Sequence, residues 1–246
     1  MEDGIRKHDE FYANEDRSKN IKYSFECIIK LLKERRFDID QIKLLDIGCA
    51  SGDFLFAVRE LCGIPAENLA GADLLDSLLI SAREKLPEVL FFKRDISSDD
   101  FSMHLEYDVV TLIGVLQIFD EYETAIDNCI DCCASGGTVV VSGPFNPYPV
   151  DMLTRYRRVD AGEPQRQPLE LGWNIFSKLG LENFLSTHSR VASYHFHDIE
   201  FPESVALEPR PDDWLRSWTM ESAVGKKFVN GNQIIQHHSI LEILVR

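Results

Sequence analysis

One stretch decides the fold: Ile42-Lys43-Leu44-Leu45-Asp46-Ile47-Gly48-Cys49-Ala50-Ser51-Gly52-Asp53-Phe54-Leu55. Its apolar run, residues 42–47, predicts a buried strand, and residues 54–61 carry apolar side chains at helical spacing. The glycines between them, Gly48 and Gly52, can adopt backbone angles that other residues avoid. Because a helix begins with unpaired backbone N–H groups, this strand–loop–helix unit predicts a ligand-binding loop. A tight turn that binds no ligand is the alternative at this stage.

The spacing of the small residues bears on the kind of ligand. A dinucleotide fingerprint needs G-x-G-x-x-G, so that a pyrophosphate can lie on the helix N-terminus. Here Ala50 stands between the two glycines, and the acidic Asp53 follows directly after Gly52. A carboxylate would repel a diphosphate at that place. The loop therefore favours a ligand without phosphate.

The length, net charge and hydrophobic content of the chain limit which kinds of fold and which binding partners are plausible. The chain has 246 residues, a formal net charge of -15 and 44% hydrophobic residues, which predicts one globular domain over residues 1–246. Binding to nucleic acid draws on clustered cations, so a nucleic acid partner is disfavoured. No apolar run reaches the roughly 18 residues of a membrane span. The polar first residues, 1–16, show no secretory signal, and we predict a cytoplasmic protein.

The cysteines form one suggestive pattern, Cys129-Ile130-Asp131-Cys132-Cys133. A C-x-x-C spacing is typical of zinc or redox sites, but this one falls in a predicted helix (residues 125–134) without a second ligand pair. We therefore predict buried reduced thiols, with no metal site and no disulfide.

The strand–loop–helix stretch resembles motif I of the class I (Rossmann-like) S-adenosylmethionine-dependent methyltransferases, whose common form is L-D-x-G-x-G-x-G. Asp46, Gly48 and Gly52 match this form, whereas Ala50 replaces the middle glycine. The resemblance implies that S-adenosyl-L-methionine is the cofactor and that these residues bind it. It covers residues 40–145 well and the rest in outline. Accordingly, we divide the domain into an N-terminal helical cap (1–40), a cofactor-binding core (41–145) and acceptor-side helices with closing strands (146–246).

A second predicted strand, residues 68–72, ends at Asp73, about 20 residues after Gly52. An acid at this spacing binds ribose hydroxyls in nucleotide-binding βαβ units, because a carboxylate can accept two hydrogen bonds from a vicinal diol. Leu74 follows it and is assigned to the same site. Capping of the next helix by Asp73 or Asp76 is the alternative role for these acids.

The resemblance assigns further residues at the ends of the next two predicted strands. Residues 89–93 end before Asp95, which would accept a hydrogen bond from the adenine amine, with Ile96 packed on the ring. Residues 107–114 form a continuously apolar strand, typical of a parallel sheet covered on both faces. By resemblance, Gly114 would lie beside the methionine part of the cofactor, and Gln117 and Phe119 would face the acceptor.

The resemblance also implies that the N-terminal cap covers the cofactor, which makes Tyr12 a candidate lid residue. An aromatic side chain that anchors the N-terminal segment to the core is the alternative for Tyr12.

The order of strands and helices predicts an α/β fold with a doubly wound, mostly parallel seven-stranded sheet, an antiparallel last strand and helices on both faces. Ligands of such sheets bind at the carboxyl ends of the strands, where Gly48, Asp73, Asp95 and Gly114 all fall. This shared location is the main support for a cofactor site.

The C-terminal third is less regular. Residues 150–159 and 169–184 predict helices, residues 191–201 a strand, and residues 224–245 a hairpin around Asn230-Gly231 with a last strand from 234 to 245. Asn146, in the stiff loop after the fifth strand, is a candidate acceptor contact. For a catalytic base, Asp120 and His195 are the weak candidates, and His237 and His238 receive no role.

Two functions follow. The first is methyl transfer to a hydroxyl or amine of a small molecule, sugar or glycan. The second is a non-catalytic module that binds the same cofactor on the same fold. An acceptor cavity beside Gln117 would separate them, because only the enzyme needs one.

Overall fold

A computed structural model describes residues 20–35, 37–103, 105–159, 167–211, 213–223 and 225–246. Within these ranges the helices are α1 (Tyr23–Glu34), α2 (Asp53–Cys62), α3 (Asp76–Lys85), α4 (Glu123–Asp131) and α5 (Lys178–Thr187). Two short 3₁₀ helices span Ala66–Asn68 and Leu116–Ile118. The strands are β1 (Leu44–Ile47), β2 (Leu69–Asp73), β3 (Leu90–Lys93), β4 (Tyr107–Ile113), β5 (Cys133–Asn146), β6 (Arg155–Tyr156), β7 (Glu170–Leu171), β8 (Phe176–Ser177), β9 (Val191–Asp198), β10 (Trp218–Met220), β11 (Lys227–Val229) and β12 (His238–Val245).

The main sheet has the strand order β3-β2-β1-β4-β5-β12-β9, and the short strand β8 pairs with the end of β5. Strands β1 to β5 run parallel, whereas β12 pairs antiparallel with both β5 and β9. The chain winds outward from β1 to β3 and then returns to place β4 on the other side of β1. The predicted doubly wound sheet with an antiparallel last strand is confirmed.

Helices cover both faces of this sheet, which explains the continuously apolar strands. Leu44 and Val109 lie in the cluster formed with α1, α2 and α3, whereas their neighbours Leu45 and Val110 lie in the cluster formed with α4 and α5. A strand whose alternate residues are buried on opposite faces has no polar side to present. The central strands are therefore held from both sides, and their carboxyl ends form a fixed edge.

Strand β5 is longer than predicted, because the Gly136-Gly137 turn lies inside it. The strand begins at Cys133, and its pairing with β4 shifts register between Tyr107 and Val109. Gly136 has a φ of 80° in the bulged segment.

Burial raises the pKa of the Cys132 thiol to about 11 and that of the Cys133 thiol to about 12. All six cysteines are free thiols, and those of the C-x-x-C pattern are buried.

The helices predicted at residues 150–159 and 169–184 are mostly wrong. Residues 155–156 and 170–171 instead pair as the antiparallel strands β6 and β7, and Met152 bridges to Ile175. A hydrogen bond from the Tyr156 hydroxyl to the Glu170 carboxylate spans 2.9 Å across this pair. Within these two predicted segments only the start of α5 is helical. This helix begins where the Ser177 hydroxyl accepts a hydrogen bond from the Gly180 N–H, a typical N-cap. Long-range pairing therefore overrides the local helical pattern.

The closing strands agree with the sequence in part. The turn at Asn230-Gly231 forms, since the Gln233 N–H donates to the Asn230 carbonyl, and Phe228 bridges to Gln236. The regular hairpin, however, is formed by β10 and β11, and β12 begins at His238 rather than at residue 234. Among the described residues, no helix is long and apolar enough to cross a membrane.

The close approach of β2 and β3 at Gly71 generates the first prediction. A Cβ atom at Gly71 would lie 2.7 Å from the Phe91 ring and 2.9 Å from the Cys49 sulfur. We expect Gly71→Ala to lower the free energy of unfolding by about 1–3 kcal/mol through overpacking, as measured by urea denaturation. Phe91→Leu should relieve the clash, so the double variant loses less than the sum of the single variants. Additive losses would contradict this account.

Candidate active site

A cleft of about 830 Å³ opens at the carboxyl ends of the parallel strands. It lies where the strand order reverses between β1 and β4, as expected for ligand sites of open α/β sheets. Most of the residues singled out from the sequence line it: Asp46, Gly48, Ala50, Asp73, Leu74, Asp95, Ile96, Gly114, Gln117 and Phe119. The fold therefore brings the candidate cofactor and acceptor residues into one continuous space.

The loop after β1 is held by backbone geometry and by one carboxylate. Gly48 has a φ of 70°, and a Cβ atom there would lie 2.2 Å from a Val115 methyl group. Ala50, which replaces the middle glycine of the motif, takes a left-handed φ of 47°. Its N–H donates to the Asp73 carboxylate over 2.9 Å, and the Leu75 N–H donates to the other oxygen of that carboxylate over 2.9 Å. Asp73 thus joins the loop to the start of α3.

Asp46 is a buried carboxyl group in the floor of the cleft. Its side chain accepts a hydrogen bond of 2.6 Å from the Thr111 hydroxyl, and only 2% of the residue is exposed. Burial raises the pKa of Asp46 to about 7; the nearby Asp73 also raises it, whereas the Thr111 hydrogen bond lowers it. A carboxyl group in this state gains from a cation placed beside it, because ionisation then costs less.

The loop after β3 is fixed by a buried amide. Asp95 lines the cleft and accepts hydrogen bonds from the Ser97 N–H and hydroxyl. The Asn128 side chain, on α4, donates to the Ile96 carbonyl over 2.8 Å and to the Ser98 carbonyl over 2.9 Å. Asn128 therefore positions Asp95 and Ile96 without lining the cleft. The sequence offered no local signal for this role.

The turn after β4 depends on a second buried amide, Asn174. Its N–H donates to the Gln117 carbonyl over 2.9 Å, and its side-chain amide donates to the Phe119 carbonyl over 2.6 Å. Its side-chain oxygen accepts from the Thr154 N–H over 2.6 Å. The neighbouring Trp173, with a φ of 58°, lines the cleft. Asn174 therefore holds the turn with Gln117 and Phe119 against the wall with Trp173.

Several predicted site residues do not line the cleft. Gly52 is the left-handed N-cap of α2, so its role is in the turn. The Asn146 side chain bonds to the Val150 carbonyl and the Tyr148 N–H within its own loop. Asp120 pairs with Arg155 at 2.6 Å, and His195 is exposed on β9 beside His197. Tyr12 lies outside the described residues.

The start of α2 carries its own anion. Asp53 lies at the first helical position, lines the cleft and forms an ion pair with Lys85. A carboxylate near a helix N-terminus is favoured by the helix dipole. The carboxylate occupies the place that a dinucleotide phosphate would need, which agrees with the choice of a phosphate-free ligand.

One wall of the cleft comes from the C-terminal third, and the sequence did not assign its residues to the site. We call it the distal wall: Trp173, Phe201, Pro202, Ser204, Val205, Ala206, Leu207, Leu215, Arg216, Ser217, Phe228, Gln236 and His238. His238 contacts the rings of Phe201 and Phe228, and burial lowers its pKa to about 4, so this imidazole is neutral. Alternation in the last strand indicated that one of His237 and His238 points inward, which was the available signal.

Comparison with known proteins agrees with this geometry. The family model described as "Methyltransferase domain" matches residues 45–139. Trans-aconitate 2-methyltransferase of Acidovorax sp. (strain JS42) is 29% identical over 103 residues, which are 42% of this chain and 38% of that protein. The enzyme of the same name from Rhizobium meliloti (strain 1021) is 30% identical over 101 residues, 41% of this chain and 38% of its own length. The match thus spans well under half the length of these relatives.

Solved structures show the same fold over nearly the whole chain. The N-methyltransferase NodS from Bradyrhizobium japonicum WM9, in complex with S-adenosyl-L-homocysteine, has a TM-score of 0.57 at 16% identity, with 99% of each chain covered. CalS10, an amino pentose methyltransferase from Micromonospora echinaspora, has a TM-score of 0.56 at 15% identity, again with 99% of each chain covered. At these identities the structural likeness establishes the fold alone, and the predicted resemblance to methyltransferases agrees with the family model that matches residues 45–139.

The raised pKa of Asp46 predicts a stability that falls with pH. Above about pH 4 the unfolded chain releases this proton, whereas the folded protein keeps it until the pH passes about 7. The contribution is therefore fully present at low pH and is lost as pH rises, by about 1.4 kcal/mol per pH unit. Because Asp46→Asn lacks this proton, its free energy of unfolding relative to the wild type should increase from pH 5 to pH 7 and level off above that.

Urea denaturation at pH 5, 6, 7 and 8 measures this difference. Asp99→Asn removes a carboxyl group from an exposed position on the loop after β3 and serves as the matched control. An Asp46→Asn difference from the wild type that changes with pH no more than the Asp99→Asn difference would contradict the raised pKa of Asp46.

Proposed function

We propose that this chain is an S-adenosyl-L-methionine-dependent methyltransferase, folded as a single domain, that methylates a hydroxyl or amine of a small molecule. One observation carries the proposal. Asp46 lies in β1, Asp73 ends β2 and Asp95 follows β3, and all three line a single cleft that continues to the distal wall. A cleft with an acidic end and a separate mixed apolar and polar end suits a cationic cofactor beside a second, smaller ligand.

The residues present fit this cofactor. Asp73 would bind the ribose, since a carboxylate can accept about four hydrogen bonds and two of its bonds are to the Ala50 and Leu75 N–H groups. Asp95 and Ile96 would hold the adenine. The methionine part would lie along Gly48 and Gly114, beside the buried carboxyl group of Asp46. When bound, the cofactor supplies a methyl group on a positively charged sulfur.

The work left to the protein is mainly orientation. Holding two reactants in line can contribute roughly 7–11 kcal/mol to lowering a barrier, and the turn with Gln117 and Phe119 lies between the strand ends and the distal wall. His238 is neutral but weakly basic, because its pKa is about 4. General bases act best with a pKa near the working pH. We therefore assign no catalytic base, and Asp120 and His195 lie away from the cleft.

The named activities of the similar proteins support a small acceptor. Two act on trans-aconitate by name, and one is described as an amino pentose methyltransferase. We extend to this chain only the common element, a small polar metabolite, sugars included. Together with the acidic charge of the chain, this makes a nucleic acid acceptor a poor fit. The cytoplasm remains the predicted location.

The alternative, a binding module without turnover, would need no space for an acceptor. The cleft extends past Gln117 to Trp173 and Gln236 on the distal wall. This extension favours the enzyme over the module.

Cofactor binding is tested by calorimetric titration with S-adenosylhomocysteine and with NAD. We expect the wild type to bind the first and not the second. Asp95→Ala should weaken S-adenosylhomocysteine binding by about tenfold or more, because a hydrogen bond to a charged group is lost. Asp99→Ala removes a charge from the same loop outside the cleft, and Ser97→Ala removes a hydroxyl that bonds to Asp95. Both controls should bind almost as the wild type does, and equal weakening in all three would contradict the site.

Turnover is tested by a screen of metabolite, sugar and glycan acceptors, read out as S-adenosylhomocysteine formed from S-adenosylmethionine. We expect product with at least one acceptor and none with Gly48→Arg, because even the Cβ atom of that side chain has no room beside Val115. Tight binding of S-adenosylhomocysteine with no turnover across the screen would favour the binding module.

A further inference from the structure

The charges along the cleft are separated. Outside the distal wall the cleft is lined by more acidic than basic residues: Glu26, Asp46, Asp53, Asp73 and Asp95 against Lys22 and Arg94. Among the described residues of the distal wall only Arg216 carries a charge, since His238 is neutral. An anionic group on a ligand would be repelled from the strand ends and attracted to the distal wall.

Arg216 is held in place from behind. Its side chain is 13% exposed, and its Nε atom lies 3.9 Å from the carboxylate of Asp213, whose side chain is fully buried. The Arg216 N–H donates to the Asp213 carbonyl over 3.0 Å, which fixes the turn. The Arg158 guanidinium lies 3.6 Å from the same Asp213 carboxylate and 3.5 Å from the Glu170 carboxylate. This cluster of two arginines and two acids makes Arg216 a fixed part of the wall.

Gln236 provides a second hydrogen-bond donor in the same wall as Arg216. Gln236 is 2% exposed, and its side-chain oxygen is 3.3 Å from both the Ser217 hydroxyl and the His238 Nε2 atom. Its Nε2 atom is buried and has no hydrogen-bond partner in the described part of the chain. Buried amide donors are seldom left unpaired in folded proteins. Gln236 lines the cleft, so an acceptor atom on a ligand is a fitting partner.

A carboxylate matches this set of groups. A guanidinium group forms charge-assisted hydrogen bonds to carboxylates, and the Gln236 side-chain amide adds a neutral donor. The Asp213 carboxylate behind Arg216 would repel a doubly charged phosphate about twice as strongly as a singly charged carboxylate. A carboxylate held here would direct the other end of the molecule towards the turn with Gln117.

We propose, on the basis of the function proposed above, that the acceptor is a small hydroxy or amino carboxylic acid whose carboxylate binds Arg216, with the Gln236 side-chain amide as a further donor. Arg216 is then a specificity-determining residue, and the methylated hydroxyl or amine lies at the opposite end of the acceptor.

The test uses acetate, lactate and benzoate, each beside its primary amide, titrated into the protein saturated with S-adenosylhomocysteine. Binding is followed by the ¹⁵N–¹H signal of the Arg216 Nε group, identified by its loss in Arg216→Gln. We expect the carboxylates to shift this signal and at least one of them to bind about tenfold more tightly than its amide, as a charge-assisted hydrogen bond predicts. Chemical-shift changes of backbone amides measure the same preference in the variants.

Arg216→Gln should abolish the preference for the carboxylate, and Arg216→Lys, which keeps the charge without the planar fork, should keep part of it. Arg210→Gln removes the same charge from an exposed position nearby and should behave as the wild type. The proposal is overturned if acids bind no more tightly than amides, or if the preference survives in Arg216→Gln. Titration without S-adenosylhomocysteine keeps the two proposals apart, because the anion site can then be measured even if the cofactor does not bind.

Discussion

The two hydrogen bonds accepted by the Asp73 carboxylate are the constraint on which the cleft depends. They connect the loop after β1, through the Ala50 N–H, to the start of α3, through the Leu75 N–H. Without them the N–H groups of Ala50 and Leu75 would each lose this hydrogen bond, while the pairing of β1 with β2 would still hold the two strand ends side by side. One acidic side chain therefore sets the shape of the loop and also presents charge to the ligand space.

The core could be predicted from the sequence because its signals are local. Apolar runs such as residues 107–113 mark strands buried on both faces, and the glycine pattern and the acids after the strands fall at fixed short distances from them. The C-terminal third could not be predicted in the same way. Its conformation depends on contacts between distant residues, such as the bond from Ser177 to Asp151 and those of Asn174 to Phe119 and Thr154. A helical pattern in one segment carries no information about such partners.

This contrast between local signals and contacts of distant residues also explains which site residues could be identified from the sequence. Asp95 and Gly114 follow directly from strands that the sequence marks, whereas Arg216 and Gln236 reach the cleft through irregular segments. Asn128 acts through the backbone of a loop on another element, and nothing in its neighbourhood in the sequence indicates this. Asp120 was a reasonable candidate by position, but it pairs with Arg155 and is not among the residues that line the cleft.

Asn174 has a consequence for how such a protein can change. This one residue fixes the turn after β4 by two bonds and the segment before β6 by a third, and it directly follows Trp173 on the distal wall. A mutation that widens the cleft by moving Trp173 therefore also moves the backbone of the turn with Gln117 and Phe119. The shape of the cleft is more easily changed through side chains further from this amide, among residues 201–207, where substitutions leave that turn in place.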